Sequence, residues 1–407
     1  MPNSMKTVGI ICECNPFHGG HEYLISRARA SGADAVVAVM SGSFVQRGEP
    51  AVADMHLRAK AVLSGGADLV LELPFPYSAS PAEFFAAAGV EILASLGVEE
   101  LWFGSECDDI TLLGRLAALS ESPDFQEAYA KSVNERTGTA EAYVDCLARF
   151  SGESVSLASN DLLGIAYLRA ICKKRLPLRA VTVKRKGSAF TETTLSVDNF
   201  PSATALRRLW QKEGVDAILP YLPQSAKPIY RNCVLPPSFA HAERLILGWF
   251  RLASLNDLES VAELAGGLGA RLKKAATEAK TLEEMLALAA TKKYTSARIL
   301  RGILFALTGI TEQDLRTRPA YTRLLAANGT GCGFLKQCQK NAALTVVTRR
   351  TDLPDTPEAT RQAILEERAQ DLYALCCESA QATESLWKKP AYIEKKSSDP
   401  LAIKSDL

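Results

Sequence analysis

The sequence contains no apolar run long enough to cross a membrane, and its N-terminus lacks the apolar stretch of a secretory signal peptide. It also has no Walker-type GxxxxGK[ST] loop and no internal repeat. The formal net charge of its 407 residues is only +1, so any contact with RNA must depend on a local basic patch. We therefore expect a cytoplasmic protein with no membrane partner.

The ten cysteines follow no regular spacing, which favours reduced thiols over a disulfide framework. Hydrophobic residues make up 47% of the chain and charged residues 23%, as is usual for globular proteins. The length is sufficient for two or three domains, each with its own core.

The first half of the chain alternates short apolar runs with segments of helical periodicity. Such alternation predicts βαβ units and a mostly parallel sheet, with ligands at the carboxyl ends of its strands. The fold class is therefore α/β. The predicted strands are 7–12, 35–40, 69–73, 100–103 and 178–184, and the predicted helices are 21–31, 54–63, 81–96, 160–174 and 202–213.

After about residue 215 the composition becomes rich in Ala, Leu, Glu and Lys with helical periodicity. We predict an α/β domain over 1–215, a mainly helical domain over 216–387 and a flexible tail over 388–407. Within the second part the predicted helices are 239–255, 257–264, 268–289 and 293–308, and a strand–helix–strand pattern follows at 321–349.

Residues 12–21 read CECNPFHGGH and permit two interpretations. In the first, Cys12, Cys14, His18 and His21 converge as four zinc ligands. The single residue between the cysteines is tighter than the usual spacing of structural zinc sites, and burial explains two small thiols equally well.

In the second interpretation, a strand ends near Glu13 and a helix begins around Gly19 and Gly20. The N-terminus of a helix that follows the first strand of a parallel sheet binds anions through its free N–H groups and its dipole. His18 and His21 would then donate hydrogen bonds to a phosphate as a phosphoanhydride breaks. This interpretation predicts nucleotide chemistry and no metal site formed by the protein.

The segment His18–Gly19–Gly20–His21 resembles the HxGH signature of the nucleotidyltransferase and class I synthetase superfamily. PSATALR, at 201–207, resembles the second motif of that superfamily, ISSTxxR, in which hydroxyls and an arginine hold the β- and γ-phosphates. The resemblance implies a Rossmann-like fold that binds ATP and transfers its adenylyl group.

Further stretches are similar to the bacterial tRNA(Met) cytidine acetate ligase family, namely AVMSGSFVQRGEPA (38–51), LVLELPF (69–75), FGSE (103–106), SNDLLG (159–164) and VKRKGS (183–188). This implies that ATP activates acetate as acetyl-adenylate with release of pyrophosphate. The acetyl group then passes to N4 of the wobble cytidine of elongator tRNA(Met). Cys14 departs from the family, which has an aromatic residue there, and this puts a contact with the adenine in doubt.

The resemblance also implies the residues of the site. His18 and His21 are the expected catalytic residues, and Mg²⁺ is expected on the phosphates of ATP. The expected ATP-binding residues are Ile11, Cys12, Glu13, Cys14, Asn15, Pro16, Phe17, His18, Gly19, Gly20, His21, Glu22, Tyr23, Leu24, Gly104, Asn160, Arg185, Ser202, Thr204 and Arg207.

Two basic groups are candidates for tRNA binding: Lys173 with Lys174, and Lys292, Lys293, Arg298 and Arg301 in TKKYTSARILRG. The alternative for each is a solvated helix face. Two other functions also remain open: adenylation of a phosphorylated small metabolite, and RNA binding without catalysis.

Overall fold

The computed structural model describes residues 5–134, 139–152, 157–185, 201–339, 342–382 and 386–394. Lys186, Gly187 and Ser188 of the VKRKGS stretch lie outside the described residues, as does 395–407 of the expected tail. No helix within the described ranges is both long and apolar enough to cross a membrane.

One mixed sheet forms the centre of the molecule, with the strand order β5-β4-β1-β2-β3-β6-β7 and β8 paired with β6. The first five strands pair in parallel, whereas β6 runs antiparallel to β3. The strands are β1 (Thr7–Cys12), β2 (Ala35–Ser41), β3 (Leu69–Leu73), β4 (Glu100–Ser105), β5 (Arg179–Lys184), β6 (Tyr321–Ala327), β7 (Thr345–Val347) and β8 (Tyr392–Ile393).

Every residue of β1, β2 and β3 is buried. Continuous apolar runs such as AVVAVM suit strands that have helices on both faces, which explains why these three strands are central. The chain passes from β1 to β2 on one side, and β4 returns to pair with β1 on the other side. The strand order therefore reverses between β1 and β4, where open α/β sheets form a ligand crevice at the carboxyl ends of the strands.

Eight helices among the described residues of the first half of the chain cover the two faces of the sheet. One face packs on α3, α4 and α7, and the other packs on α1, α2 and α8. These helices are α1 (Gly19–Ala30), α2 (Met55–Ser64), α3 (Ala82–Ser95), α4 (Ile110–Ser120), α5 (Pro123–Asn134), α6 (Thr139–Ser151), α7 (Ser159–Lys174) and α8 (Ala203–Glu213).

The described part of the second half of the chain contributes ten α-helices and a third hydrophobic core, which also contains Phe44 and Val45 from the loop after β2. Phe44 contacts the rings of Phe239 and Tyr373 at centroid distances of 6.0 and 6.2 Å. The described helices here are α9 (Val215–Ile218), α10 (Lys227–Tyr230), α11 (Glu243–Leu252), α12 (Leu255–Glu259), α13 (Leu268–Glu278), α14 (Leu282–Ala289), α15 (Ser296–Thr308), α16 (Glu312–Arg316), α17 (Gly329–Cys338) and α18 (Pro357–Leu375).

The predicted α/β class and the alternation of strands and helices in the first half are confirmed. Two helix predictions in the second half need correction. The helix predicted at 257–264 ends at Glu259, before Glu263 adopts a φ of 69° that no α-helix accommodates. The stretch 268–289 forms two helices, because Thr281 begins α14 by accepting a hydrogen bond from Glu284 N–H.

The sheet also extends beyond the first half of the chain. The predicted strand–helix–strand at 321–349 is present, and its first strand pairs with β3 of the α/β part. Tyr392–Ile393, in the segment expected to be a tail, pairs with Ala326 and Ala327 of β6. This part of the expected tail is therefore held by strand pairing with the end of β6.

Candidate active site

A cleft with a volume of about 260 Å³ lies at the reversal of strand order between β1 and β4. Side chains from the ends of β1, β4 and β5 line it, together with the N-terminal turns of α1, α7 and α8 and the loop after β2. Its position at the carboxyl ends of parallel strands is the one that the sequence predicts.

The two histidines of the HGGH segment define the first turn of α1. His18 is the N-cap, and its Nδ1 accepts a hydrogen bond from Gly20 N–H at 3.0 Å. His18 N–H in turn donates to Nδ1 of His21 at 3.3 Å. Since both Nδ1 atoms are acceptors, each neutral ring carries its proton on Nε2. The pair therefore offers two Nε2–H donors on rings whose centroids are 4.1 Å apart.

Both rings are held in the neutral form. Burial lowers the pKa of His21 to about 4, and the nearby Arg185 charge acts in the same direction. Burial also lowers the pKa of His18 well below its usual range, with smaller contributions from His21, Arg185 and Arg207. An anionic ligand would offset this surrounding positive charge, which makes the site suited to phosphate.

The second motif lies at the N-terminus of α8, on the same cleft. Ser202 caps the helix by accepting a hydrogen bond from Ala205 N–H at 3.2 Å. Arg207 donates to the carbonyl of Asn15 at 3.1 Å and to the hydroxyl of Thr204 at 3.2 Å. The guanidinium of Arg207 therefore joins the SATALR segment to the loop that precedes the histidines.

A third group surrounds the ends of β4 and β5. Asn160 donates to Oε1 of Glu106 at 2.6 Å, and Nε of Arg185 lies 3.4 Å from the same oxygen. A methyl group at Gly104 would lie 3.1 Å from Cγ of Arg185, so only glycine leaves this side chain its present space. Gly104, Asn160 and Arg185, which are far apart in sequence, thus meet at one end of the cleft.

Most of the expected ATP-binding residues line the cleft, and six do not. Cys14 is only 1% exposed and packs with Phe17 in the core beneath α1, so neither side chain faces the cleft. Asn15 uses its Oδ1 to accept Val52 N–H at 2.7 Å. Pro16, Gly19 and Glu22 also lie outside the lining. The lining residues that were expected are Ile11, Cys12, Glu13, His18, Gly20, His21, Tyr23, Leu24, Gly104, Asn160, Arg185, Ser202, Thr204 and Arg207.

Sequence reasoning missed the contribution of the loop after β2. Gln46 and Arg47 line the cleft, and Gln46 N–H donates to Oε1 of Glu13 at 3.0 Å. Burial raises the pKa of the Glu13 carboxyl, an effect that Arg207 and Arg47 oppose. The rule that ligands lie at the carboxyl ends of strands could have directed attention to this loop. The other lining residues outside the expected ATP-binding set are Ile10, Phe85, Phe103, Ser159, Leu163, Tyr167, Val183, Lys184, Pro201 and Ala203.

The zinc interpretation receives no support from the geometry. Across the part of the chain that the structure describes, no three His, Cys, Asp or Glu side chains are grouped so that they could hold a metal ion. Both Nδ1 atoms of the histidine pair are also already occupied by backbone N–H donors.

None of the candidate tRNA-binding residues lines the cleft. Lys174 is the last residue of α7 and forms an ion pair with Glu91 of α3. It lies fourteen residues after Asn160, which is about 21 Å along the axis of α7. Lys173 lines a separate groove between α3 and α7.

The four candidate residues on α15 and just before it differ in the groups that they contact. Lys292 is exposed, and Lys293 lies 5.5 Å from the centre of the Tyr294 ring. Arg301 donates to Oε2 of Glu263 at 2.9 Å, and Arg298 lies 3.9 Å from the same oxygen. Only the two lysines of this set are therefore without an acidic partner among the described residues.

A mostly parallel sheet with paired histidines at the N-terminus of its first crossover helix, and a Ser–Thr–Arg helix start facing them, defines a nucleotidyltransferase of the HxGH class. The family model described as HIGH Nucleotidyl Transferase matches residues 5–386.

Similar proteins and solved structures indicate the family within this class. A tRNA(Met) cytidine acetate ligase from Anoxybacillus flavithermus is 34% identical over 87% of this chain and 91% of that protein. One from Listeria monocytogenes is 33% identical over 91% of this chain and 95% of that protein. Crystal structures of Thermotoga maritima TmcAL, one apo and one bound with alpha-thio ATP, superpose with a TM-score of 0.87 at 28% identity and cover 96% of this chain and 99% of theirs. The chain belongs to the tRNA(Met) cytidine acetate ligase family.

Proposed function

We propose that this protein is an ATP-dependent ligase that activates acetate as acetyl-adenylate and acetylates N4 of the wobble cytidine of elongator tRNA(Met), giving N4-acetylcytidine. The names of its relatives support the overall reaction, and the ATP analogue in the Thermotoga protein supports the nucleotide. One observation carries the proposal for this chain: two neutral histidines present Nε2–H donors beside Arg207 in a cleft at the end of β1.

In the first step, a carboxylate oxygen of acetate attacks the α-phosphorus of ATP. A new P–O bond forms, the bond to the β-phosphate oxygen breaks, and pyrophosphate leaves. His18 and His21 donate hydrogen bonds to the α-phosphate oxygens as negative charge builds up on them. Ser202, Thr204 and Arg207 hold the leaving pyrophosphate at the N-terminus of α8.

In the second step, the exocyclic amine of the cytidine attacks the carbonyl carbon of acetyl-adenylate. The C–N bond forms, AMP leaves with the electron pair of the C–O bond, and the amine releases a proton. The helical part of the chain over 216–387 would hold the anticodon stem through Lys292 and Lys293. Arg298 and Arg301, already bound to Glu263, would serve mainly to fix α15 beneath them.

Magnesium is part of the proposal. When bound, it neutralises charge on the pyrophosphate leaving group. Glu13 is the single carboxylate among the described residues that line the cleft. The residues present therefore suit a cation that is held chiefly by the phosphates of ATP.

The deciding experiment is ATP–pyrophosphate exchange with the purified protein, measured with and without acetate. We expect exchange that requires acetate, and N4-acetylcytidine in elongator tRNA(Met) when tRNA is added. If exchange does not depend on acetate but requires a phosphorylated metabolite, the protein is the alternative adenylyltransferase and the proposal is wrong. Absence of exchange together with tRNA binding would leave a non-catalytic RNA-binding protein.

A further inference from the structure

The cations of the cleft come from different segments of the chain. Among the described lining residues, Lys184 and Arg185 lie at the end of β5 and Arg47 lies on the loop after β2. Arg207 of α8 lies between them, 3.8 Å from Glu49 of the loop after β2. Lys184 donates to the carbonyl of Glu106, and Arg185 lies near the carboxylate of the same residue. Lys184, Arg185 and Arg207 thus belong to segments whose motifs indicate nucleotide binding, whereas Arg47 does not.

Arg47 is exposed at the tip of a hairpin whose base is rigid. Phe44 and Pro50 form a β-bridge, and Val45 N–H donates to the carbonyl of Glu49 at 3.0 Å. Phe44 is buried in the helical core, while Gln46 N–H is bound to Glu13. An exposed side chain on so constrained a backbone can meet a small ligand with little loss of backbone entropy.

We infer that Arg47 binds the carboxylate of acetate and holds it for attack on the α-phosphate. This inference rests on the proposed function. Acetate carries all its polarity in one carboxylate, which must approach an anionic phosphate. A guanidinium matches a carboxylate with two parallel N–H donors and reduces the repulsion between the two anions.

The position of Arg47 on the cleft agrees with this role. The histidines follow β1 in the middle of the sheet, Gly104 and Arg185 lie at the ends of β4 and β5, and Arg47 follows β2. A nucleophile held by Arg47 would therefore enter from the side opposite the residues at the ends of β4 and β5. The exposure of Arg47 also leaves this side open for a small molecule to enter.

The test compares Arg47→Gln and Arg47→Lys with the wild type in ATP–pyrophosphate exchange. The loss of charge-assisted hydrogen bonds should raise the KM for acetate about 10- to 100-fold in Arg47→Gln, with the KM for ATP changed less than about threefold. Arg47→Lys should bind acetate better than Arg47→Gln but less well than the wild type, since lysine keeps the charge but lacks the two parallel N–H donors of the guanidinium. Arg208→Gln is the matched control, because Arg208 is exposed on α8 and lies outside the cleft lining.

A second measurement supplies synthetic acetyl-adenylate with tRNA. Arg47→Gln should then acetylate tRNA within about threefold of the wild-type rate, since the carboxylate has already reacted. An equal rise in KM for ATP and acetate, or an equal defect with supplied acetyl-adenylate, would overturn the inference. If wild-type exchange does not depend on acetate, the proposed function itself fails, and that result is read before any variant is compared.

Discussion

A methyl group added at Gly48 would lie 2.5 Å from the backbone nitrogen of Arg301. The tip of the loop after β2 therefore rests directly on the backbone of α15, and Gly48 adopts a φ of +79° to do so. The wall of the cleft that carries Gln46 and Arg47 is thus supported by a helix from the second half of the chain. Acetate activation is expected to depend on that helix as well as on the α/β part.

Gly48→Ala should impair both stability and pyrophosphate exchange. Its methyl group would collide with the backbone of α15, which cannot change rotamer as a side chain can. The expected cost is about 1–3 kcal/mol. The left-handed backbone adds about 1–2 kcal/mol. Urea unfolding and exchange rates on the same preparation measure the two effects.

Gly32→Ala separates the two causes. Gly32 also has a positive φ, of +85°, but a methyl group there would meet nothing within 4 Å. It should show only the backbone cost and retain full exchange. Equal losses in the two variants would show that the contact with α15 is unimportant.

The tautomer of His21 gives a sharper test of catalysis than alanine alone. His21→Ala should reduce exchange about 100- to 1,000-fold, the usual cost of losing one donor to a developing oxyanion. Glutamine places an N–H near the position of Nε2, whereas asparagine mimics the Nδ1 side of the ring. His21→Gln should therefore retain more activity than His21→Asn. If asparagine is the better substitute, Nδ1 is the group that acts, and the hydrogen bond from His18 N–H must break during the reaction.

A buried ion-pair network lies on the opposite side of β3 from β2. Arg323 on β6 contacts Glu72 at 2.5 Å and Glu366 at 3.7 Å, and all three side chains are almost fully buried. Tyr321 and Gln362 donate to Glu366 at 3.0 and 2.9 Å. Burial, followed by the charge of Glu72, raises the pKa of Glu366 to about 8. One arginine thus faces two acids, and the crowding of negative charge makes Glu366 hold its proton to a higher pH than an ordinary glutamate.

This network predicts a pH dependence of stability. Between the ordinary pKa of 4.5 and about 8, the folded state holds a proton on Glu366 that the unfolded state releases. The free energy of unfolding should therefore fall as pH rises through this window. Glu366→Gln removes the titrating group, so its stability should fall less than that of the wild type between pH 6 and pH 9 in urea titrations.

Glu72→Gln is the companion variant. It removes the nearer partner of a buried arginine, for which losses of about 3–5 kcal/mol are typical, reduced to the extent that Glu366 ionises in its place. At pH 7 it should be less stable than Glu366→Gln. The reverse order would mean that Glu366 is the ionised partner.

Local signals in the sequence accounted for much of the fold and of the site. The strand predicted at 7–12 has the same bounds in the structure, and the HGGH and SATALR segments do meet on one cleft. Each depends on nearby residues: an apolar run that must be buried, or a cap that begins a helix. The first helix begins two residues earlier than expected because His18 itself is the cap.

What the sequence could not supply depends on contacts between distant segments. Nothing local to 321–327 indicates that this strand pairs antiparallel with β3, about 250 residues away. The burial of Cys14 follows from a backbone φ of 47° that turns its side chain into the core. Arg47 was missed because its place on the cleft is set by packing of its hairpin on α15.

The last prediction concerns tRNA. Lys292→Glu combined with Lys293→Glu should weaken tRNA acetylation while leaving acetate-dependent exchange nearly unchanged. Each lost phosphate contact should lower the slope of log affinity against log salt by about one unit. Lys280→Glu with Lys336→Glu is the matched control, since both lysines are exposed, lie outside α15 and give the same change in net charge.

The structure makes the lysines better test positions than Arg298 and Arg301, whose reversal would also break ion pairs with Glu263 and disturb α15. Salt-dependent tRNA binding and exchange are measured on the same double variant. If exchange falls as far as acetylation, the lysines support the cleft through α15 and do not contact tRNA. If neither falls, they belong to a solvated face, and Lys173 with Lys174 becomes the stronger candidate even though it lies about 21 Å from the nucleotide end of α7.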